Sequence, residues 1–405
     1  MSVISSDDAS SSSAASLVAE LNKVGQGPLN EHDRVKALDA AKRLVTELET
    51  PQEVILRFCF EFGPQRSALR VGCDLRIFRI LTTRNGIPIS SEDLAAETGA
   101  QPLLIVRLMR IITAMGFARE ASEQSYVANR YTEAMAEPSL EGGIKISHDM
   151  TQVVLDRIPE YLRQTNFTLP TGGKDCAFQY THKTTKSYFE YVHADPELSK
   201  NFNVFMSGIR NVRKYWTDWY PIDAKILTGF SGAKDDVLVV DVGGGTGHDS
   251  TKFLAKYPQS HGHLVLQDLP EVLAQAESLD QQGIRLMAHN FFELQPIKGA
   301  RAYYLHFVFH DWPDDKCREI LENIKPAMTP GYSMIILNDS VLPNTGCSSF
   351  HAGIDWDMMA VLAGMERSGR QWIELVESAG LEVVDIQVSP FSGDSEGVVM
   401  AMLPS

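Results

Sequence analysis

His310 is the residue in this chain best suited to take a proton near neutral pH. It closes the run His306-Phe307-Val308-Phe309-His310-Asp311-Trp312. Imidazole has an ordinary pKa of about 6.5, so it accepts a proton where carboxylates are already ionised and amines still charged. A carboxylate beside the ring would hold one tautomer and stabilise the imidazolium. Asp339 and Glu366 are the candidates. The proton would come from a hydroxyl, since an unperturbed phenol ionises only near about pH 10.

A second group of residues lies upstream. Asp241 is followed by Gly243, Gly244, Gly245 and Gly247. Glycine takes positive φ and has no Cβ to block a ligand. A dinucleotide turn would read G-x-G-x-x-G, but the last position here is His248. The spacing G-x-G-x-G after an acidic residue suits the methionine tail and ribose of S-adenosylmethionine (SAM). Asp268, with Leu269 beside it, ends the next apolar run and can bind ribose hydroxyls. Asn290 and Phe291 follow a third run and suit adenine, a polar group for its edge and a ring for its face.

These residues need a sheet to place them. Apolar runs predict strands at 237–241, 264–267, 284–288, 301–307, 333–338, 381–387 and 397–402. Helical patterns intervene near 248–257, 270–279, 314–325 and 369–379. Such alternation implies a parallel sheet covered on both faces, with ligands at the carboxyl ends of its strands. The last two strands have only a short connection, so the final one should run antiparallel. The expected fold is α/β: a Rossmann-like, seven-stranded SAM methyltransferase sheet with its last strand reversed.

The rest of the chain divides around that unit. Residues 1–15 are serine-rich and expected to be disordered. Residues 16–140 form a mostly helical unit, with a helix start near Leu17–Leu21 and helices over 31–49 and 54–62. Residues 68–132 read as a winged helix: an apolar helix over Val71–Thr82, a second opened by Ser90-Ser91, a third opened by Pro102, and a wing strand at Tyr126-Val127. Residues 141–230 should be a helical connector that supplies acceptor-pocket walls. Phe205, Met206 and Ile209 recur there at helical spacing, and Met358 and Met359 offer similar flexible walls within the last unit, 231–405.

Composition narrows the function classes. The net charge of −15 disfavours nucleic acid and anionic membranes as partners. Five scattered cysteines without C-x-x-C spacing fit a reduced, cytoplasmic setting. No apolar stretch is long enough to span a membrane. The winged-helix pattern raises one rival, a DNA-binding regulator using Arg107 and Arg110. The acidic chain and the apolar third helix argue against it.

DVGGGTG at 241–247, QDLP at 267–270, HDWPDD at 310–315 and the ERS segment at 366–368 occur in this order. In these motifs, over about 70–402, the chain resembles the SAM-dependent O-methyltransferases of the plant caffeic acid type, in their fungal secondary-metabolism branch. The resemblance implies His310 as base, with Asp339 and Glu366 supporting it. It implies cofactor contacts at Gly243, Asp268, Asn290, Phe291 and His306, with Trp312 near the adenine. Asn290 stands where the family usually carries an acidic residue, and His306 where it usually carries Lys or Arg. The resemblance also implies no metal, and a homodimer formed through the N-terminal domain.

The leading expectation is therefore methyl transfer to a phenol, enol or N-hydroxyl oxygen of an aromatic or alkaloid-like small molecule. The alternative is a SAM-binding relative that catalyses a rearrangement or cyclisation without methyl transfer.

Overall fold

The computed structural model describes residues 30–212, 214–391 and 396–404. The tail expected over 1–15 and the helix start at Leu17–Leu21 lie outside them. Among the described residues, 30–63 and 391 belong to one compact unit, and 64–390 with 396–404 to a second.

The first unit contains the helices Glu31–Leu48 and Pro51–Phe60. Asn30 caps the first by accepting from the Asp33 N–H. Thr50 and Glu53 form a capping box on the second, with Pro51 in its first turn.

The second unit opens with helices and a small sheet. Ile89–Ser90 (β1), Arg119–Ser122 (β2) and Ser125–Val127 (β3) pair in the order β1-β3-β2, so the expected strand at Tyr126-Val127 is present. Ser90 caps the helix Ser91–Thr98, and Gly99 ends it in the left-handed region. The helix expected over Val71–Thr82 is instead two, Phe62–Asp74 and Ile77–Thr83. The break falls at Arg76, where φ is 57°. It turns Ile77, Phe78 and Leu81 into a core they share with Ile105, Met109 and Ile112. Apolar content cannot reveal a left-handed residue that is not glycine.

Helices Pro138–Ile146, Ile158–Gln164, Ala177–His182, Tyr188–Ala194 and Pro196–Val212 follow, with a π-helical stretch at Ser147–Gln152. Their core, including Met150, Val154, Phe178, Tyr188 and Val192, packs on Ala360–Ala363.

The large sheet carries the site. Its strands are Val239–Val242 (β4), Leu264–Asp268 (β5), Ile284–Ala288 (β6), Ala302–His306 (β7), Met334–Leu342 (β8), Arg367–Ser368 (β9), Glu382–Val388 (β10) and Glu396–Met402 (β11). The order is β10-β11-β8-β7-β4-β5-β6, with β9 paired to β8. β11 runs antiparallel to both neighbours while β4 to β8 pair in parallel. One core, with Val240, Leu305, Ile320, Leu321 and Trp372, covers one face. A second, with Trp216, Phe253, Leu264, Tyr304 and Ile336, covers the other. Burial on both faces explains the apolar runs of β4, β5, β7, β11 and the first half of β8, whereas β6 and β10 are partly exposed.

Two expectations are corrected here. β8 runs on to Leu342, past the expected end at 338, so Asp339 lies inside it rather than beyond it. The helix expected over 270–279 is only Pro270–Leu273, followed by a 3-10 stretch at Glu277–Gln282. Leu279 is buried in that stretch, directly under the glycine turn.

Candidate active site

The turn between β4 and the helix His248–Lys256 holds Gly243, Gly245 and Gly247 at φ 71°, 62° and 79°. Its glycines do different work. A Cβ on Gly244 would lie 2.4 Å from the Asp241 carboxyl carbon, and one on Gly247 would lie 2.4 Å from Leu279. Those two let the turn pack onto the sheet. A Cβ on Gly243 would approach Val308 at 3.2 Å and the Phe291 ring at 3.4 Å, whereas Gly245 faces open space. Gly243 thus lies against Val308 and Phe291, and Gly245 is the glycine of this turn that faces open space.

Asp268 locks this turn. Its two carboxylate oxygens accept from the Gly245 and Leu269 N–H groups, each at 2.7 Å. Burial pushes its pKa up, against those two hydrogen bonds. The Leu269 side chain is exposed. Asn290 is exposed too, and its side-chain oxygen accepts from the Phe292 N–H at 3.1 Å. Phe291, Phe292 and Trp312 form one aromatic cluster, with Trp312 edge-on to Phe292 at 4.9 Å and to Phe291 at 6.2 Å. Phe292 was not singled out from the sequence, although it adjoins Phe291.

His306 ends β7 inside a polar network. Its Nδ1 lies 2.9 Å from Asp249 Oδ2, and its Nε2 lies 3.8 Å from Glu396 Oε1. Asn338 donates to Glu396 at 3.0 Å and accepts from the Tyr304 hydroxyl at 2.8 Å. Ser250 donates to Asp241 at 2.6 Å. Burial, then the Asp249 charge, push Asp241 up to about 7. Asp249 and Glu396 join the site from the first turn of a helix and from the last strand. Sequence spacing gives no sign of that meeting.

His310 sits in the 3-10 turn Phe309–Asp311 after β7. Its Nδ1 lies 2.8 Å from Glu366 Oε1 and its Nε2 lies 3.4 Å from Asp311 Oδ1. Asp339 does not hydrogen-bond the ring; it accepts from the His310 backbone N–H at 3.3 Å and from the Ser340 N–H at 3.0 Å. Burial lowers the imidazole's pKa, but the charges of Asp311, Asp339 and Glu366 outweigh it and raise His310 to about 10. Asp311 rises to about 6, chiefly through burial. Burial would raise Glu366 as well, but its bond to His310 holds it below the usual range.

Two segments meet at this ring, and both are backbone-strained. Phe307 has φ 49° and Ala363 has φ 57°. Such outliers are stored where packing over-determines the chain, often at functional sites. Gly364 makes the approach possible, since a Cβ there would lie 2.0 Å from the His310 carbonyl oxygen. That oxygen accepts from the Met365 N–H at 3.0 Å. Asp355 accepts from the Glu366 N–H at 2.9 Å. Arg367, fully buried, donates to Asp314, to the Phe309 carbonyl and to the Trp312 carbonyl at 2.8–2.9 Å. It therefore holds both ends of the turn that carries His310. Gly364 was not singled out from the sequence, and Arg367 stood there only as part of the ERS segment, with no role given to it. Arg367 adjoins Glu366, and a buried arginine is unusual without partners.

His310, Asp339 and Glu366 present ligand atoms all within 4.8 Å of one another, a spacing that a metal ion could also use. The 2.8 Å contact between Nδ1 and Oε1 already engages two of those atoms with each other.

Of the expected acceptor walls, Phe205, Met358 and Met359 pack against the connector core. The Phe205 ring fills the space that Gly143 leaves by lacking a Cβ. Met206 is half-buried. Ile209 belongs to the helix Pro196–Val212, but its side chain lies outside the described residues.

Comparison with known proteins agrees with this geometry. The family model for an O-methyltransferase domain matches residues 164–382, and that for an O-methyltransferase dimerisation domain matches residues 65–137. The O-methyltransferase asqD of Emericella nidulans is 40% identical over 353 residues, covering 86% of this chain and 89% of its own. The solved complex of LepI with SAM superposes with a TM-score of 0.85 at 30% identity, over 98% of this chain and all of LepI. A pericyclic reaction enzyme superposes equally well, with a TM-score of 0.85 at 30% identity over 97% of this chain and all of its own. The chain belongs to the SAM-dependent O-methyltransferase family. It is an enzyme of that family, with a dimerisation domain, and no described helix is long and apolar enough to cross a membrane.

Proposed function

We propose that the protein methylates a hydroxyl oxygen of an aromatic or alkaloid-like small molecule, with His310 as general base. The observation that carries this is the 2.8 Å contact between His310 Nδ1 and Glu366 Oε1. The contact supports a ring whose Nδ1–H donates to the Glu366 carboxylate, with Nε2 as the atom that would take the acceptor's proton. With its pKa raised to about 10, the imidazole matches a phenol in basicity, so the transfer is near thermoneutral. The drawback is that the ring must first be neutral. Near neutral pH the raised pKa keeps the free enzyme's ring largely protonated. SAM, when bound, supplies the activated methyl group and a positive charge that favours the neutral ring.

The chain's own residues do the rest. The turn at Gly243–Gly247 and Asp268 hold the cofactor's tail and ribose, and Phe291 and Trp312 offer faces to the adenine. Asn290, His306 and Leu269 complete that set. Asp339 fixes the His310 backbone. Phe205, Met206, Met358 and Met359 would wall the acceptor. The working division is a helical dimerisation domain to about residue 140, a pocket-forming connector to 230, and the SAM-binding domain beyond. No metal takes part in this scheme, and the partner is a second copy of the chain rather than nucleic acid or membrane, in the cytoplasm.

The test is a panel of phenols, enols and N-hydroxyl compounds with methyl-labelled SAM. We expect label in the acceptor and one S-adenosylhomocysteine per product. His310→Ala should bind SAM normally yet turn over about 10²–10⁴ times more slowly. Normal turnover in that variant would remove His310 as base. The second reading, rearrangement without methyl transfer, is favoured by the likeness to a pericyclic reaction enzyme. It predicts product without S-adenosylhomocysteine.

A further inference from the structure

The turn that carries His310 has three backbone carbonyls whose partners stand close together in sequence. The Phe309 carbonyl accepts from Arg367 Nη1 at 2.8 Å, and the Trp312 carbonyl accepts from Arg367 Nη2 at 2.9 Å. The His310 carbonyl accepts from the Met365 N–H at 3.0 Å. Between Met365 and Arg367 stands Glu366, whose carboxylate meets the ring at 2.8 Å. A single short segment, Met365-Glu366-Arg367, thus grips both the backbone and the side chain of His310.

Other contacts fix that segment in place. Arg367 and Ser368 form β9, in parallel register with Val341 and Leu342 of β8. β8 also carries Asp339, which accepts from the His310 N–H at 3.3 Å. The guanidinium is fully buried, lies 5.3 Å from the Trp372 ring centre, and meets Asp314 through Nε at 2.9 Å and Nη2 at 2.8 Å. Cys317 adds to the grip from the helix Asp314–Ile324. Its buried thiol lies 3.3 Å from the Phe309 carbonyl oxygen and 3.4 Å from that of Trp312, the same two that Arg367 holds. A lysine would supply the same charge from a single point. The planar guanidinium fork instead sets the spacing of two carbonyls.

We infer that Arg367 is a positioning residue for His310: its fork holds the Phe309–Trp312 turn where the imidazole Nδ1 meets Glu366. For its effect on turnover this rests on His310 being the base; for its effect on the ring it does not. A displacement of about 1 Å at a reacting group can cost about 10²-fold in rate. Arg367 touches neither the ring nor the crevice beside it, so its influence runs through the backbone of the turn.

The experiment uses the full-length protein, isotopically labelled at histidine nitrogen and saturated with S-adenosylhomocysteine. Proton NMR should show a low-field Nδ1–H signal for His310, assigned by its loss in His310→Ala and moved in Glu366→Gln. Arg367→Lys keeps the charge and loses the fork. We expect it to shift that signal upfield or broaden it into exchange with water. We also expect kcat at saturating SAM to fall about 10–10²-fold, measured with the phenol, enol or N-hydroxyl compound that the native enzyme methylates. If Arg367→Lys does not fold, Cys317→Ala takes its place. It removes only the thiol from the same two carbonyls and should give both effects to a smaller degree. A folded variant whose signal stays native overturns the inference, whatever its turnover. An arginine that served stability alone would lower the melting temperature and leave the signal in place. A native protein without a Glu366-dependent signal overturns the inference as well. A displaced signal with native turnover keeps the positioning role and removes His310 as base; a displaced signal with lowered turnover supports both.

Discussion

At the residue scale, the pairing of His310 with Glu366 sets the pH dependence. The folded-state pKa of His310 is raised to about 10, above its ordinary 6.5. Its contribution to folding is therefore complete below about pH 6.5 and is lost as pH rises through about 10. If His310 is the base, as proposed, catalysis by the neutral ring would have the opposite slope, rising with pH over that window. Glu366→Gln removes one of the charges that hold the proton on. We expect the rising limb of kcat against pH to move to lower pH, while the plateau falls at least about tenfold because the imidazolium loses its partner. A limb that stays in place would show that Glu366 does not tune His310. His310 and Glu366 were both legible in the sequence, because each stands in a distinctive motif. The role of Asp339 was only partly so. It is buried beside His310, but it bonds the backbone rather than the ring. Which atom of a residue a carboxylate meets depends on strand register, and β8 runs past the end of its apolar run at Leu337.

At the scale of elements, the site depends on two turns whose glycines have different reasons to be there. Gly364 lets the segment after the helix Ser349–Leu362 press on the His310 carbonyl. A methyl group at 2.0 Å from a backbone oxygen cannot be absorbed by a rotamer change. Gly364→Ala should cost about 1–3 kcal/mol in a urea melt and reduce kcat by displacing the His310 turn, with little change in SAM affinity. Gly245→Ala has open space but a φ of 62°. It should cost about 1–2 kcal/mol from backbone strain, and its main effect should be weaker SAM binding by calorimetry. If both variants weakened SAM alone, the separation between a positioning glycine and a ligand-facing one would be wrong. The strands of the sheet that are buried on both faces were readable because that burial makes them continuously apolar. The break at Arg76 and the meeting of Asp249, His306 and Glu396 were not. One depends on a single left-handed residue, and the other on contacts between segments far apart in sequence.

At the scale of the whole molecule, the sequence is acidic, yet the helix Pro51–Phe60 has no buried residue and exposes Ile55, Leu56, Phe58 and Phe60. Phe58 is 65% exposed and Phe60 71%. Large apolar side chains grouped on one short helix mark an interaction surface, and the adjoining residues 65–137 match a dimerisation domain. The helix Pro102–Ala114 leaves Arg107 and Arg110 exposed, but beside Leu103 and Leu104, which is a poor surface for phosphates. The expectation is that self-association buries the Phe58 and Phe60 rings. Fully burying a phenylalanine contributes about 1.5–3 kcal/mol. Phe58→Ser with Phe60→Ser should then weaken the dimer by about 10²–10⁴-fold, read by sedimentation velocity over a concentration series. Arg107→Ser with Arg110→Ser should leave the sedimentation unchanged. A native protein that stays monomeric at every concentration, or a double phenylalanine variant that associates as tightly as the native chain, would place the self-association surface elsewhere. Association lost only in the arginine variant would point to the helix Pro102–Ala114 instead.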